Sequence, residues 1–370
     1  MAPTPPMKWS VEQAKAWWDA RPWVCGFNFL PSSAVNFLEM WMADTFDRET
    51  IARELGWAAK TGFNAVRVNP HFLVWKHDRD GLIARMAWFL QTASALGLDT
   101  VFVPFDDCEF GGETAQYGPQ PDPVENVHNS RAVASPGRAR VMDRANWGDF
   151  ESYVRDLVRS FRNDPRVLFW DLYNEPGNRM IFTKDGFAQF DAALERHSLA
   201  LMVDVFSWVR AETPEQPLTV GAWHTPPVGS DQLPFETEID RMALQLSDIV
   251  TFHAYCDRPR AAAFIDHLAL LGRPMLSTEW MARAIGSRIA DQLELYHSRK
   301  VGCFNWGLVK GRTQTHLPWP AALVEQHGRG DEQEVWFHDI FWPDGTPYDP
   351  AETGLIAELT AIRHNSSAAE

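Results

Sequence analysis

Eight short apolar segments alternate with helical patterns along the 370 residues of the chain. Each segment is too short for a helix and is rich in β-branched and aromatic residues, which are typical of strands. None has one cleanly polar face, as expected for parallel strands that are covered on both sides. The predicted strands are 24–30, 65–69, 100–105, 167–173, 218–223, 249–255, 274–280 and 301–308.

Helical patterns fill most of the intervals between these strands. The first begins at the capping candidate Asp47 and ends at Gly62, and both residue types favour helix ends. Alternation of this kind predicts a parallel α/β sheet, and eight units favour a single closed (β/α)8 barrel, or TIM barrel. An open nucleotide-binding sheet is disfavoured, because no G-x-G-x-x-G follows the first strand and no P-loop is present. The predicted helices are 47–61, 81–96, 147–161, 186–212 (one extended helix or two), 261–271 and 286–298.

Two long polar loops follow the third and eighth predicted strands, at about 106–146 and 309–349. Both leave the carboxyl ends of strands, the face on which barrel proteins carry their sites, and long loops in a compact domain tend to be functional. We expect one barrel domain over 1–370, with long loops on its C-terminal face and with 1–20 and 350–370 peripheral.

The composition argues against several kinds of partner. The net charge is −15, with 34 basic and 49 acidic residues, whereas nucleic-acid binding needs clustered Lys and Arg. No apolar run approaches the roughly twenty residues of a membrane span, so we expect neither a nucleic-acid nor a membrane partner. The N-terminus has no apolar signal core, which favours a cytoplasmic protein over a secreted one whose signal has been removed. Buried free thiols are expected at the widely spaced Cys25, Cys108, Cys256 and Cys303.

Two carboxylates occupy matching positions at strand ends. Glu175 follows the fourth predicted strand, and Glu279 lies near the end of the seventh. A single Glu at a strand end is most simply a solvated side chain. In a closed barrel, however, these two would face each other across the mouth, and two facing carboxyls are the minimal machinery for cleaving a glycosidic bond. We expect both to be catalytic.

The sequences around these residues resemble a known family. The string LYNEP around Glu175, with STEW around Glu279, is similar to clan A of the glycoside hydrolases and most nearly to family 5, the cellulase- and mannanase-like enzymes. The resemblance spans about 24–308. Further matching positions are Arg67 in AVRVN, His253 and Tyr255 in FHAY, and Trp306 in FNWG.

This resemblance implies a retaining mechanism with Glu175 as acid/base and Glu279 as nucleophile. Arg67 would keep Glu279 ionised through a charge-assisted hydrogen bond, and Tyr255 would donate to the same carboxylate. A raised pKa is expected for Glu175, assisted by the charge of Glu279. His253 would support the two carboxylates, Asn174 would bind the sugar 2-hydroxyl, and Trp306 would form the floor under the sugar.

The chain departs from the family after the third strand, where the family commonly has a His close to the sugar. The segment here is PFDDCEF, which supplies Asp106, Asp107 and Glu109. These acidic groups could bind sugar hydroxyls in a closed pocket, or they could cap the loop. Both interpretations stay open on the sequence.

Other polar and aromatic residues lie on the same predicted face. The 17 Trp residues fit either a large core or a cleft that stacks on sugar rings. No spacing resembles a metal-ligand set, so we expect no metal and no cofactor. Further substrate-binding candidates are Asn28, His71, Trp223, His224 and Trp280, and weaker ones are Glu39, Trp75, His316, Trp319, Trp336 and His338.

The sequence therefore predicts a retaining β-glycoside hydrolase that acts on short β-linked oligosaccharides, releasing sugars from the chain end. Three alternatives stay open: an endo-acting β-1,4-glucanase, mannanase or xylanase; a transglycosylase; and, from a different class, a non-catalytic carbohydrate-binding barrel. The prediction requires Glu175 and Glu279 to approach within about 5–5.5 Å over one hollow. The oligomeric state is open.

Overall fold

A computed structural model describes residues 8–184, 186–328 and 335–361. Its centre is an eight-stranded sheet in which the neighbouring strands run parallel. The strands are β1 Cys25–Asn28, β2 Ala65–Val68, β3 Asp99–Phe102, β4 Val167–Asp171, β5 Leu218–Thr219, β6 Val250–His253, β7 Met275–Trp280 and β8 Gly302–Asn305.

The sheet closes on itself. Its order runs from β6 through β8 and β1 to β5, and a parallel bridge between Ala222 and Phe252 joins the two ends. Every predicted strand is present, somewhat shorter than expected, and the predicted (β/α)8 barrel is confirmed. At Gly26 the packing leaves no room for a side chain, because a Cβ there would lie 2.5 Å from the ring of Phe304.

Helices surround the sheet largely as the sequence predicts. The Asp47 side chain accepts a hydrogen bond from the backbone N–H of Thr50, and Gly62 ends that helix with a φ of 107°. The helices are α1 Val11–Asp19, α2 Phe37–Trp41, α3 Arg48–Thr61, α4 Phe72–His77, α5 Arg79–Ala95, α6 Arg138–Met142, α7 Trp147–Phe161, α8 Leu194–Ala211, α9 Glu238–Leu246, α10 Arg258–Ala269, α11 Ile289–Ser298, α12 Ala321–His327 and α13 Pro350–Ala361, with 3-10 turns at Arg144–Asn146 and Arg283–Ile285.

The prediction of helix over the whole of 186–212 is wrong at its start. Residues Gly186–Gln189 form a strand that pairs antiparallel with Met180–Thr183, and Phe182 lies opposite Phe187. Cross-strand aromatic pairing stabilises such a hairpin and overrides the local helical pattern. Helix α8 begins only at Leu194.

The two ends of the barrel differ in polarity. At the amino ends of the strands, Ala14 of α1 joins an apolar cluster with Val24 and Phe304, against which Trp18 packs. The carboxyl ends instead bury charged groups, including Arg67. Helix α1 therefore covers the lower end, whereas Arg67 lies at the upper one.

The C-terminal helix is tied to the upper loops by a buried ion pair. Arg283 donates to both carboxylate oxygens of Glu352 in α13, at 2.9 and 2.6 Å, and also to the carbonyls of His338 and Asp339. The described parts of 1–20 and 350–370, which we predict to be peripheral, thus pack against the rest of the chain through α1 and α13.

Within the described residues, no helix combines the length and the apolar character that crossing a membrane requires.

We predict that Arg283→Met lowers the free energy of unfolding by about 3–5 kcal/mol, because it leaves Glu352 buried without its counter-charge. Urea unfolding followed by circular dichroism measures the change. The matched control is Arg299→Met, whose partner Asp266 is exposed and whose loss should cost less than about 1 kcal/mol. Equal effects of the two substitutions would contradict the assignment.

Candidate active site

A hollow of about 370 Å³ opens at the carboxyl ends of the strands, which is at the small end of the range for ligand pockets. Glu175 and Glu279 both line it. One carboxylate oxygen of each lies within 4.8 Å of the other. The predicted approach of the two carboxylates over one hollow is therefore present in the structure.

Arg67 lies buried under the hollow and contacts four side chains. Its Nη1 donates to Glu279 Oε1 at 3.1 Å and to Asn28 Oδ1 at 2.7 Å. Its Nε donates to Asp171 Oδ2 at 2.9 Å, and its Nη2 donates to Asn174 Oδ1 at 2.7 Å. These contacts fix Glu279 from below, as the sequence predicts.

The other oxygen of Glu279 is held from the sixth strand. Tyr255 donates its hydroxyl hydrogen to Glu279 Oε2 at 2.8 Å. His253 lies between the two carboxylates, with its Nδ1 2.8 Å from Glu175 Oε1 and 3.6 Å from Glu279 Oε2. The His253 ring is thus placed to share a proton with Glu175.

Glu175 is held by three side chains. Besides His253, the Asn178 amide donates to its Oε2 at 2.7 Å, and the Cys108 thiol lies 3.2 Å from the same oxygen. The backbone of Glu175 has a φ of 41°, a left-handed conformation that costs energy in a residue other than glycine. Asp107 supports the turn that follows, because it accepts from the Gly177 backbone N–H at 2.7 Å.

Burial and neighbouring charges set the protonation of these groups. Burial raises the pKa of Glu175, but the hydrogen bond and the charge of His253 outweigh burial and hold that pKa below its usual range. Burial also opposes the charged form of His253, yet the charges of Glu279 and Glu175 raise its pKa. The pKa of Glu279 is raised, chiefly by burial and also by the charge of Glu175, against His253 and Arg67.

These directions correct the expected raised pKa of Glu175. The physical reason is that His253 supplies a proton to the hydrogen bond that it shares with Glu175. The raised pKa of His253 therefore favours a proton on its ring, next to Glu175.

Other predicted residues also reach the hollow. Asp106 accepts from Asn174 Nδ2 and Asn69 Nδ2, each at 3.0 Å, and burial raises its pKa to about 7. The amide of Asn174 is thus bonded at both ends, to Arg67 and to Asp106. The hollow is lined, among others, by Asn28, Asp106, Asn174, Trp223, His224, His253, Tyr255, Trp306, Trp319 and His338.

Three predicted substrate-binding residues lie elsewhere. His71 is fully buried, where it caps α4 and contacts the carbonyl of Ala134. Asp107 is buried among hydrogen bonds that support the Glu175 turn. Trp280 is buried with its ring edge-on to Tyr296. None of the three lines the hollow.

Several of the weaker candidates also lie away from the hollow. Glu39 accepts from the backbone of Val35 and pairs with Arg312, and the indole of Trp75 donates to Asp156. Outside the lining residues lie Glu39, Trp75, Glu109, His316 and Trp336.

Sequence reasoning missed Cys108, Asn178 and Asp171. Cys108 was placed among the buried structural thiols, yet it is half-buried and lines the hollow, whereas the other three cysteines are buried. Asn178 follows Glu175 by three residues, a spacing at which the two side chains meet when the chain turns. That signal was available in the string NEPGN.

The third and eighth loops are joined to each other above the barrel. The backbone N–H of Asn129 donates to the carbonyl of Thr313 at 2.8 Å, and the ring Nδ1 of His128 lies 2.7 Å from the carbonyl of Leu317. The two loops therefore form a continuous wall on one side of the hollow.

The hairpin of 180–189 extends this wall. The Phe182 ring stacks on Phe110 of the third loop with centroids 4.3 Å apart, and both rings line the hollow. The third, fourth and eighth loops thus enclose the site together.

One cluster has atoms spaced as metal ligands would be. Among the described residues, Glu175, His253 and Glu279 form the one such group, with ligand atoms within 4.8 Å of one another. The guanidinium of Arg67 lies 3.1 Å from Glu279, and this fixed positive charge disfavours a second cation there.

We predict that Asp106→Asn changes the pH dependence of stability. Because the folded-state pKa of Asp106 is raised to about 7, its contribution to stability is fully present below the unfolded pKa and is lost as pH rises through 7. From pH 5 to pH 8 the variant should gain about 2–3 kcal/mol relative to the parent. Urea unfolding across this range measures it, with the exposed Asp231→Asn as control. Parallel curves for the parent and Asp106→Asn would contradict the prediction.

Comparison with known proteins finds solved structures with a similar fold. No protein-family model and no curated protein matches the sequence. A GH5_18 variant from Streptomyces cattleya in complex with Manβ1-4GlcNAc has a TM-score of 0.58 at 14% identity, covering 94% of this chain and 82% of that chain. The endo-β-1,4-mannanase from Thermotoga petrophila has a TM-score of 0.55 at 15% identity, covering 93% and 78%. The exo-β-1,4-mannosidase from Opitutaceae bacterium strain TAV5 has a TM-score of 0.57 at 14% identity, covering 92% and 59%. The chain shares the (β/α)8 barrel of these three proteins over at least 92% of its length.

Proposed function

We propose that this protein is a retaining β-glycoside hydrolase of the family 5 type, acting by double displacement. The observation that carries the proposal is the approach of Glu175 and Glu279 within 4.8 Å over one hollow. Retaining enzymes use two carboxyls about 5–5.5 Å apart, whereas inverting enzymes need a wider gap for a water molecule. Binding alone requires no such pair, which disfavours a non-catalytic carbohydrate-binding barrel.

In the first step, a carboxylate oxygen of Glu279 attacks the anomeric carbon. The bond from that carbon to the leaving oxygen breaks, and its electron pair goes to the oxygen, which takes a proton from Glu175. Arg67 and Tyr255 hold Glu279 in place for attack. They also stabilise the charged form of Glu279, which burial opposes. A carboxyl group attacks as a nucleophile in this charged form.

The proton that Glu175 passes to the leaving oxygen comes from His253. While Glu279 is charged, His253 holds a proton in its 2.8 Å hydrogen bond with Glu175. Formation of the ester removes the charge of Glu279, and with it one cause of the raised pKa of His253. The proton therefore passes from His253 through Glu175 to the leaving oxygen, so that Glu175 enters the second step as a carboxylate and His253 as a neutral ring.

In the second step, Glu175 acts as the base. It removes a proton from water as the water oxygen attacks the anomeric carbon, and the ester bond to Glu279 breaks. The sugar leaves with its original anomeric configuration. Asn178 and Cys108 keep the Glu175 carboxyl in position through both steps.

The substrates we propose are short β-linked oligosaccharides cleaved from the chain end. The small size of the hollow supports this, as does the wall that the third, fourth and eighth loops form around it. A structurally similar protein is an exo-β-1,4-mannosidase, and another binds Manβ1-4GlcNAc. β-Mannosides and β-glucosides are therefore the first substrates to assay.

We predict that Glu279→Ala lowers kcat on an aryl β-glycoside by more than about a thousandfold, because the nucleophile is lost. The exposed Glu294→Gln on α11 should retain parental kcat. Release of the aryl alcohol measures the rate, and proton NMR of the first product identifies the anomer. Near-normal activity of Glu279→Ala, or an inverted first product, would exclude double displacement.

The proposed role of Glu175 as acid and base can be tested separately. Glu175→Ala should be rescued by azide, which replaces water in the second step and yields a β-glycosyl azide. Rescue that gives the α-azide would contradict this role.

We predict a single small product from a long oligosaccharide. End-on cleavage in an enclosed hollow releases one sugar unit at a time, whereas an open groove gives a spread of lengths. Chromatography of early digests of a hexasaccharide measures this, and the T. petrophila endo-mannanase named above serves as a control for endo cleavage on mannohexaose. A spread of products from this protein would favour endo-action.

A further inference from the structure

Two histidines on the wall of the hollow have fixed tautomers. The Nδ1 of His128 lies 2.7 Å from the carbonyl of Leu317, and the Nδ1 of His338 contacts the carbonyl of Met281. A carbonyl only accepts, so Nδ1 carries the hydrogen in both rings. In each neutral ring, Nε2 is then a bare acceptor.

Within the described residues, neither Nε2 has a hydrogen bond from the protein. His338 is fully buried, and its Nε2 has no hydrogen-bond partner there. His128 is 3% exposed, and its one side-chain hydrogen bond in the described part of the chain is the Nδ1 contact. A buried acceptor without a donor costs free energy, so the ring of His338 needs a donor from outside the chain.

Both rings stay uncharged under ordinary conditions. Burial lowers the pKa of His128 to about 4 and holds the pKa of His338 well below its usual value. The two rings lie edge to face with centroids 5.2 Å apart, so a charge on one would disfavour a charge on the other. They act as acceptors and not as cations.

The pair is connected to the catalytic carboxylates. His338 lies 5.7 Å from the ring of Tyr255, which donates to Glu279. Both histidines line the same hollow as Glu279. A sugar whose anomeric carbon faces Glu279 thus lies in the hollow that these two residues line.

The surroundings favour a neutral ligand. Among the described lining residues, Arg179 is the one Lys or Arg side chain, and it pairs with Glu195 at 3.4 Å. Glu175, Glu279 and Asp106 add negative charge. An anionic sugar would therefore meet repulsion without a free counter-charge.

We propose that His128 and His338 form a hydrogen-bond-accepting subsite that binds hydroxyl groups of a neutral sugar and selects against sugar acids. The inference rests on the proposed function, because it describes how the substrate of that reaction is held. It adds two specificity-determining residues from the third and eighth loops, outside the set that the resemblance implies.

The test uses His128→Phe and His338→Phe, which keep an aromatic ring but remove the acceptor. Each should lower kcat/KM on the best neutral aryl β-glycoside about tenfold, a typical effect of one buried hydrogen bond. His338→Gln restores an acceptor and should recover part of the loss. His316→Phe is the matched control, since His316 is on the same loop but outside the lining residues.

Deoxy substrates separate binding from a merely structural role. Removing the hydroxyl that a histidine binds should cost the parent about tenfold in kcat/KM and should cost the matching Phe variant nothing further. Equal losses in the parent and in both Phe variants, at every hydroxyl position tested, would overturn the subsite. Circular dichroism establishes which variants fold, and the second histidine gives the same test where the first variant does not.

Charge selectivity gives an independent measurement. The parent should cleave aryl β-glucosides or β-mannosides at least about tenfold better than aryl β-glucuronides, since a buried uncompensated charge is costly. A preference for the glucuronide would overturn the inference. If the parent cleaves no β-glycoside at all, the proposed function has failed and the subsite fails with it. An active parent that matches its Phe variants refutes the subsite alone.

Discussion

The buried guanidinium of Arg67 is the interaction on which the upper half of this barrel depends. It joins Asn28, Asp171, Asn174 and Glu279, which come from three other strands or their ends. Removing a charge from water is costly unless counter-charges and hydrogen bonds replace the lost solvation. Asp171 and Glu279 supply the charge, and the two Asn amides supply acceptors. The cation therefore fixes Glu279 and Asn174 in one geometry.

Around that cation, burial raises the pKa of carboxyl groups and lowers the pKa of imidazoles. Carboxyls such as Asp106 and Glu109 have pKa values raised to about 7 by burial. Imidazoles such as His128 have lowered pKa values for the same reason. His253 and Glu175 depart from this pattern, because opposite charges face each of them and outweigh burial. Low dielectric favours neutral groups except where opposite charges are in contact.

Much of this arrangement can be predicted from the sequence. It depends on the alternation of strand and helix patterns and on the positions of polar residues along the chain. Parallel strands bring their carboxyl ends to one face, so Glu175 and Glu279 could be placed together from their positions alone. The roles of Asp107 and His71 could not be predicted, because loop capping and sugar binding use the same residue types. The hairpin of 180–189 also escaped prediction, since the pairing of Phe182 with Phe187 competes with a helical pattern over 186–212. Likewise, the tautomers of His128 and His338 depend on carbonyls of Leu317 and Met281 that only the folded chain brings near.

The joined third and eighth loops have a consequence for the order of events in turnover. The contacts of Asn129 with Thr313 and of Phe110 with Phe182 close the hollow on that side. In the reaction proposed above, the sugar bound at Glu279 departs only after the rest of the substrate has diffused away. That sugar would then be the last product released, and it would compete with fresh substrate for the same space.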